Sequence, residues 1–181
     1  MAWRRIHLCT GLLERDGRVL LVANRYPNQP RLLWNLPGGR QEERETCDRT
    51  VAREFREETG LEVAVHDLAY VAESFDATTA TQFTAFCFRV TGAGEPRVPE
   101  GDPHVRDVRW VARAGLEELL EVRVVREPLL THLADPQRRY FGFADAGITI
   151  AFADAPPPPA ASGPTPRDAA GTAPRRRDVP G

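Results

Sequence analysis

Cysteine is scarce in this chain: Cys9, Cys47 and Cys87 are all there is in 181 residues. An odd count without metal-type spacing argues against a disulfide scaffold or a zinc site. The thiols are expected to be buried or incidental in a reducing compartment, the cytoplasm. A long apolar run is also missing. The N-terminal stretch MAWRRIHLCTGLLERDG is interrupted by Thr10, Gly11 and Glu14, too soon for a signal peptide or a spanning helix, so no membrane partner is expected. Charge of one sign is missing too. With 24 basic and 26 acidic residues the net charge is -2, which gives no global pull toward nucleic acid. No internal repeat occurs. The remaining composition, 41% hydrophobic and 28% charged, is that of a globular protein, and the length suits one domain with a real core.

Residues 6–13 and 18–23 are apolar runs separated by Glu14, Arg15, Asp16 and Gly17, which reads as a hairpin with an Asp-Gly turn. Arg25 follows, and Pro27 and Pro30 keep the next loop out of a helix. Residues 32–36 form a short strand running into Pro37, Gly38 and Gly39. From Cys47 to Thr59 the pattern turns helical, with Asp48 near its start and Gly60 as its cap. Val51, Ala52 and Phe55 make an apolar stripe, with Arg49, Arg53 and Arg56 on the other side. Strands are expected at 63–65, 68–74, 82–90 and 108–111, and short helices at 114–120 and 128–133. Residues 140–152 are ambiguous, although ITIAF at their end reads as a strand. This order predicts a mixed sheet covered by helices. After residue 153 the composition shifts to a proline run (Pro156 to Pro159), many small residues and Arg175, Arg176 and Arg177. Residues 154–181 are therefore expected to be a disordered tail.

Residues 39–61, GRQEERETCDRTVAREFREETGL, stand apart. A glycine turn leads through a polar loop into a helix whose Glu54, Glu57 and Glu58 share one face, as positions three and four apart do. Stacked carboxylates repel, each costing a few tenths of a kcal/mol. A hard divalent cation with oxygen ligands is the natural partner of such a set.

Gly39, Glu45, Arg53, Glu54, Glu57, Glu58 and Gly60 stand at the spacing of the Nudix box, G-x5-E-x7-R-E-U-x-E-E-x-G-U. Agreement at every polar and glycine position would arise by chance in roughly one window in 10⁸. The chain thus resembles the Nudix hydrolases across most of residues 5–150. Phe55 is the one departure, an aromatic where the family places an aliphatic side chain. The resemblance implies an α/β (α+β) fold, a Nudix-type α/β/α sandwich with a mixed β-sheet, filling residues 1–153. It implies Mg²⁺, with Mn²⁺ as a substitute, on Glu54, Glu57 and Glu58. The residue at the Glu54 position serves as general base in some relatives. Arg53 would orient the carboxylates, Glu45 would support the loop or a further metal ion, and Gly38 and Gly39 would shape the loop. The substrate would be a nucleoside diphosphate linked to another moiety, cleaved at its pyrophosphate bond.

Outside the box, Arg25 is a candidate for substrate phosphate, and Glu100 and Asp102 for a further acidic group, with His104 standing where a glutamate is common. Trp34, Tyr26 and Phe75 are candidates to stack a base. His7, His66 and His132 show no partner in the sequence. No substrate-specific motif follows the box, and a homodimer is compatible with all of this. Two other readings stay open: a Nudix-fold binding module without turnover, and an isomerase on the same fold, for which Cys47 and Cys87 lack the surrounding motif.

Overall fold

Two adjacent strands with both faces buried set the architecture. The computed structural model describes residues 3–98, 100 and 104–150. Strand β1 (Arg4–Arg15) turns through Asp16 and Gly17, both at positive φ, into β2 (Arg18–Asn24). A turn of that hand matches the twist of a hairpin. Successive side chains alternate between faces. Leu13 and Leu20 accordingly join one apolar cluster, and Leu12, Val19 and Leu21 the other, none more than 3% exposed. Both sides of the sheet therefore need a cover.

The covers are helices. After β3 (Leu33–Asn35) and β4 (Gly38–Arg40), helix α1 (Cys47–Thr59) lays Val51 and Phe55 on Cys9, Leu13, Leu20 and Val90. Strands β5 (Val63–Asp76), β6 (Thr81–Gly92) and β7 (Val105–Ala112) follow. Then α2 (Leu116–Leu119) and α3 (Arg123–Ala134) bring Leu116 and Leu129 to the opposite face, against Leu12, Val19, Tyr70 and Phe141. Strand β8 (Tyr140–Gly142) closes the edge. The eight strands run β3-β2-β1-β6-β5-β8, with β4 on β1 and β7 on β2. Pairs β1–β6 and β5–β8 are parallel, so the sheet is mixed and the fold is the α/β/α sandwich read from the sequence. No helix among the described residues is long and apolar enough to cross a membrane.

Tertiary packing revised several local expectations. The stretches 63–65 and 68–74 are one strand, β5, whose register slips around Leu68 against β6. Residues 114–120 split into a 3₁₀ turn (Arg113–Gly115) and the single turn of α2. Helix α3 starts at Arg123 and carries Pro128 inside it. Proline deletes one helical hydrogen bond, yet Pro128 and Leu129 are buried, and packing outweighs that loss. In the ambiguous segment the strand lies at the start, in β8; Ile148 to Ile150 are not strand, and Ala151 and Phe152, like the tail at 154–181, lie outside the described residues. Arg53 is also misplaced by helical periodicity alone. Arg49 and Arg56 are exposed, whereas the Arg53 side chain is only 18% exposed and turns toward the loop before α1.

Phe55 fits because β1 makes room for it. A Cβ on Gly11 would stand 2.4 Å from Phe55 Cε2 and 3.0 Å from Val51 Cγ1. Gly11→Ala is expected to cost about 1–3 kcal/mol through overpacking, and Phe55→Leu in the same chain to recover much of it. Urea melts of both single variants and the double variant should show a coupling of about 1 kcal/mol; additive losses would refute this fit.

His132 sits against the Tyr70 ring, centroids 5.5 Å apart, and is 6% exposed. Burial holds its pKa below the ordinary value, helped by the charges of Arg139 and Arg89 and opposed by a bond to the Arg138 backbone. The unfolded chain takes up this proton near pH 6.5 and the folded one only at lower pH. Stability is therefore full above that value and declines as pH falls below it. Chemical denaturation between pH 5 and 8 should show a shallower decline for His132→Phe than for the wild type.

Candidate active site

Arg53 is the hub of the loop and helix that carry the acidic residues. Its Nε and Nη2 donate to the two oxygens of Glu45, each at 3.0 Å, a fork that a planar guanidinium makes and an ammonium does not. Nη1 donates to Glu54 Oε1 at 2.8 Å and Glu57 Oε2 at 3.0 Å, and Nη2 also reaches the Arg40 carbonyl at 3.1 Å. Glu45 in turn accepts from Thr50 Oγ1 at 2.8 Å. The Arg53 bonds, with help from Thr50 and against partial desolvation, pull the Glu45 carboxyl down to about 2. The same carboxylates raise the Arg53 pKa further above its ordinary value.

Glu54, Glu57 and Glu58 differ despite sharing a helix face. Glu54 is half-buried, with 15% of its side chain exposed, and desolvation raises its pKa against the opposing pull of Arg53. Glu57 is 49% exposed. Glu58 is buried, and its Oε2 accepts from the Gly38 N–H at 2.8 Å. Gly38 has φ of +147°, a conformation that favours glycine, and a Cβ there would meet the Cys9 carbonyl at 2.3 Å. A Cβ on Gly39 would meet Glu54 Oε1 at the same short range, 2.3 Å. Gly38 is therefore needed where β4 passes the β1 backbone, and Gly39 where it passes the Glu54 carboxylate. Among the described residues no group of His, Cys, Asp or Glu side chains already converges as a metal cage. Arg53 stands among Glu45, Glu54 and Glu57 instead. The donor chemistry still fits a hard divalent ion: three carboxylates are gathered around one guanidinium with Glu58 on the same helix face, all their donors are oxygen, and one is half open to solvent.

The same two glycines line a cavity of about 140 Å³ on the α2–α3 side of the sheet. Leu36, Ala72, Phe83 and Val122 make it mostly apolar, and Asn24, Asn35 and Ser74 add polar groups. Tyr26 is in its wall, where burial pushes the phenol up to about 12. Its volume lies well below the roughly 300–1,000 Å³ of pockets that enclose a drug-sized ligand, so it suits one ring of a larger molecule. Asn24 is 6% exposed and its Oδ1 has no hydrogen-bond partner among the described residues. Leaving such a group unpaired costs about 1–3 kcal/mol. Sequence reasoning missed this cavity. Asn24, Asn35, Ser74, Phe83 and Val122 come from five separate segments, and the only local signal was a polar residue ending the apolar run of β2.

The other candidates scatter. Arg25 is exposed just past β2, with its N–H on the His104 carbonyl and no ion pair among the described residues. Glu100 is exposed in a turn, and Asp102 lies outside the described residues. Trp34 is half-buried beneath the Arg109 guanidinium, 5.0 Å from its ring centroid, and Phe75 packs edge-on against Trp3, so of the three aromatic candidates Tyr26 alone is in the cavity wall. The histidines without partners in the sequence do have them: His7 meets Gln41 and Phe86, and His66 meets Thr91. All three cysteines are free. Burial raises Cys9 well above the usual thiol range and Cys87 to about 11, so neither is a thiolate near neutral pH.

The comparisons agree with this geometry. The NUDIX domain family matches residues 3–133. A putative 8-oxo-dGTP diphosphatase 2 of Mycobacterium tuberculosis is 36% identical over 115 residues, covering 60% of this chain and 74% of that protein. The CTP pyrophosphohydrolase of Escherichia coli is 35% identical over 69 residues, which span 38% of this chain and half of that protein. The crystal structure of a MutT NUDIX hydrolase from Burkholderia pseudomallei aligns with a TM-score of 0.61 at 31% identity, covering 70% of this chain and 96% of that one. The chain belongs to the Nudix hydrolase family. Members of this family generally use divalent metal ions, and the relatives named above are pyrophosphohydrolases and diphosphatases.

The fork on Glu45 predicts that charge alone will not replace Arg53. Arg53→Lys is expected to lose about 1–3 kcal/mol of stability in urea titrations without added metal, with Arg53→Ala losing more. Equal stability of Arg53→Lys and wild type would show that the bonds to Glu45 and Glu54 contribute nothing.

Proposed function

We propose that this chain hydrolyses a pyrophosphate bond in a nucleoside diphosphate linked to another moiety, or in a nucleoside triphosphate. The observation that carries this reading is the meeting of two features at Gly38 and Gly39. On one side stand Glu54 and Glu58, on the other an apolar cavity sized for one ring. A nucleotide has that shape, an apolar ring at one end and a polyanion at the other.

Glu54, Glu57 and Glu58 would hold Mg²⁺, with Mn²⁺ as a substitute. The bound ion would neutralise substrate phosphate and lower the pKa of a coordinated water. Glu54, desolvated and with a raised pKa, is suited to accept the proton of the attacking water at its carboxylate. Arg53 keeps Glu54 and Glu57 in place and ties them through Glu45 to the loop, so the acidic set is organised before substrate arrives. Arg25, exposed just past β2 with no ion pair among the described residues, supplies a cation for the outer phosphate, and Glu100 is a candidate for a further carboxylate. The free thiols suit a cytoplasmic setting.

A panel of nucleoside triphosphates, dinucleotides and nucleotide sugars incubated with Mg²⁺ and analysed by mass spectrometry tests the reaction. Cleavage at the anhydride, abolished by EDTA, is the expected result. Glu58→Gln keeps an oxygen to accept from the Gly38 N–H, so it should fold normally while kcat falls roughly a thousandfold or more. Near-normal turnover in that variant would overturn the assignment of the acidic set.

A further inference from the structure

Strand β2 ends in a place its own alternation does not foresee. Leu20 faces α1, so Asn24, four residues on, should lie on that side too. Between Ala23 and Asn24 the pairing with β7 slips: Ala23 stands opposite Asp107 and Asn24 opposite Val105. The extra residue of this bulge, Arg106, is in β7, and β2 keeps its register with β3 as far as Asn24. Asn24, the last residue of β2, lines the cavity with Leu36, Tyr70 and Ala72.

Tyr26 lines the same cavity and accepts from Asn35 Nδ2 at 3.4 Å. The Asn24 Oδ1 is buried and has no hydrogen-bond partner among the described residues. An unpaired acceptor in an apolar slot discriminates by hydrogen-bond sense. A ring edge bearing N–H satisfies it, whereas a ring edge bearing C=O sets oxygen against oxygen and leaves both unpaired.

We infer that Asn24 is a specificity-determining residue whose Oδ1 accepts from the exocyclic amino group of a nucleobase seated in this cavity. The preference is for amino bases over their oxo counterparts, and it rests on the nucleotide reading above.

The test uses CMP, UMP, AMP and IMP, which have no pyrophosphate bond to cleave, titrated calorimetrically into the full chain. CMP should bind at least about tenfold tighter than UMP, and AMP than IMP. Asn24→Leu should bring both ratios close to one. Asn24→Asp keeps an acceptor and should keep the ratios while weakening all four ligands. Should the leucine variant unfold, Asn24→Ala removes the same acceptor without adding a branched side chain. Equal binding of the paired bases by wild type, ratios unchanged in Asn24→Leu, or no binding of any of the four overturns the inference. Hydrolysis of the corresponding triphosphates with Mg²⁺, run in parallel, separates the two readings. Turnover without base preference overturns the role of Asn24 alone, and base preference without turnover overturns the hydrolase reading alone.

Discussion

A single guanidinium holds the acidic apparatus of this protein together. Arg53 joins three pieces of chain that would otherwise drift apart: the loop through Glu45, the helix through Glu54 and Glu57, and strand β4 through the Arg40 carbonyl. Carboxylates one turn apart on a helix repel, and withdrawing them from water raises the penalty. The cluster persists because one planar cation answers three of its members at once. Charges bonded and buried to this degree cost several kcal/mol when one partner is removed, which makes Arg53 structural as well as electrostatic.

Glycine backbone then brings the cluster to the cavity. Gly38 donates to Glu58, Gly39 passes so near Glu54 that a methyl group would collide with it, and both line the cavity. A side chain at Gly38 would strike the β1 backbone at Cys9 and Thr10, and one at Gly39 would displace the Glu54 carboxylate. Behind them, Phe55 locks α1 to β1 over Gly11, so the position of the carboxylates depends on a contact in the apolar core.

Much of this was legible in the residue order, and the reason is local. The limits of α1 follow from a glycine cap and a short apolar stripe, and the hairpin from an Asp-Gly turn. The acidic set shares one helix face whatever the helix packs on. Arg53 is different. The chain contains no lysine, and its basic residues are all arginine, so composition cannot single one out. Helical periodicity set it with Arg49 and Arg56 toward solvent. Spacing within the box singled it out, and the loop carrying Glu45 drew it inward.

The sequence by itself determined the helix, its row of carboxylates, the glycine turn before it and hence the family, because these depend on contacts within about twenty residues. Only the tertiary structure decided what lies beside them. The cavity is assembled from β2, the segment around Asn35, β5, β6 and the start of α3, and no local pattern brings those together. Asn24 shows the difference best. In the sequence it is a polar residue closing an apolar strand, as a turn residue would be. In the fold it lines the cavity, where the pairing with β7 slips, and burial leaves its amide oxygen without a partner among the described residues.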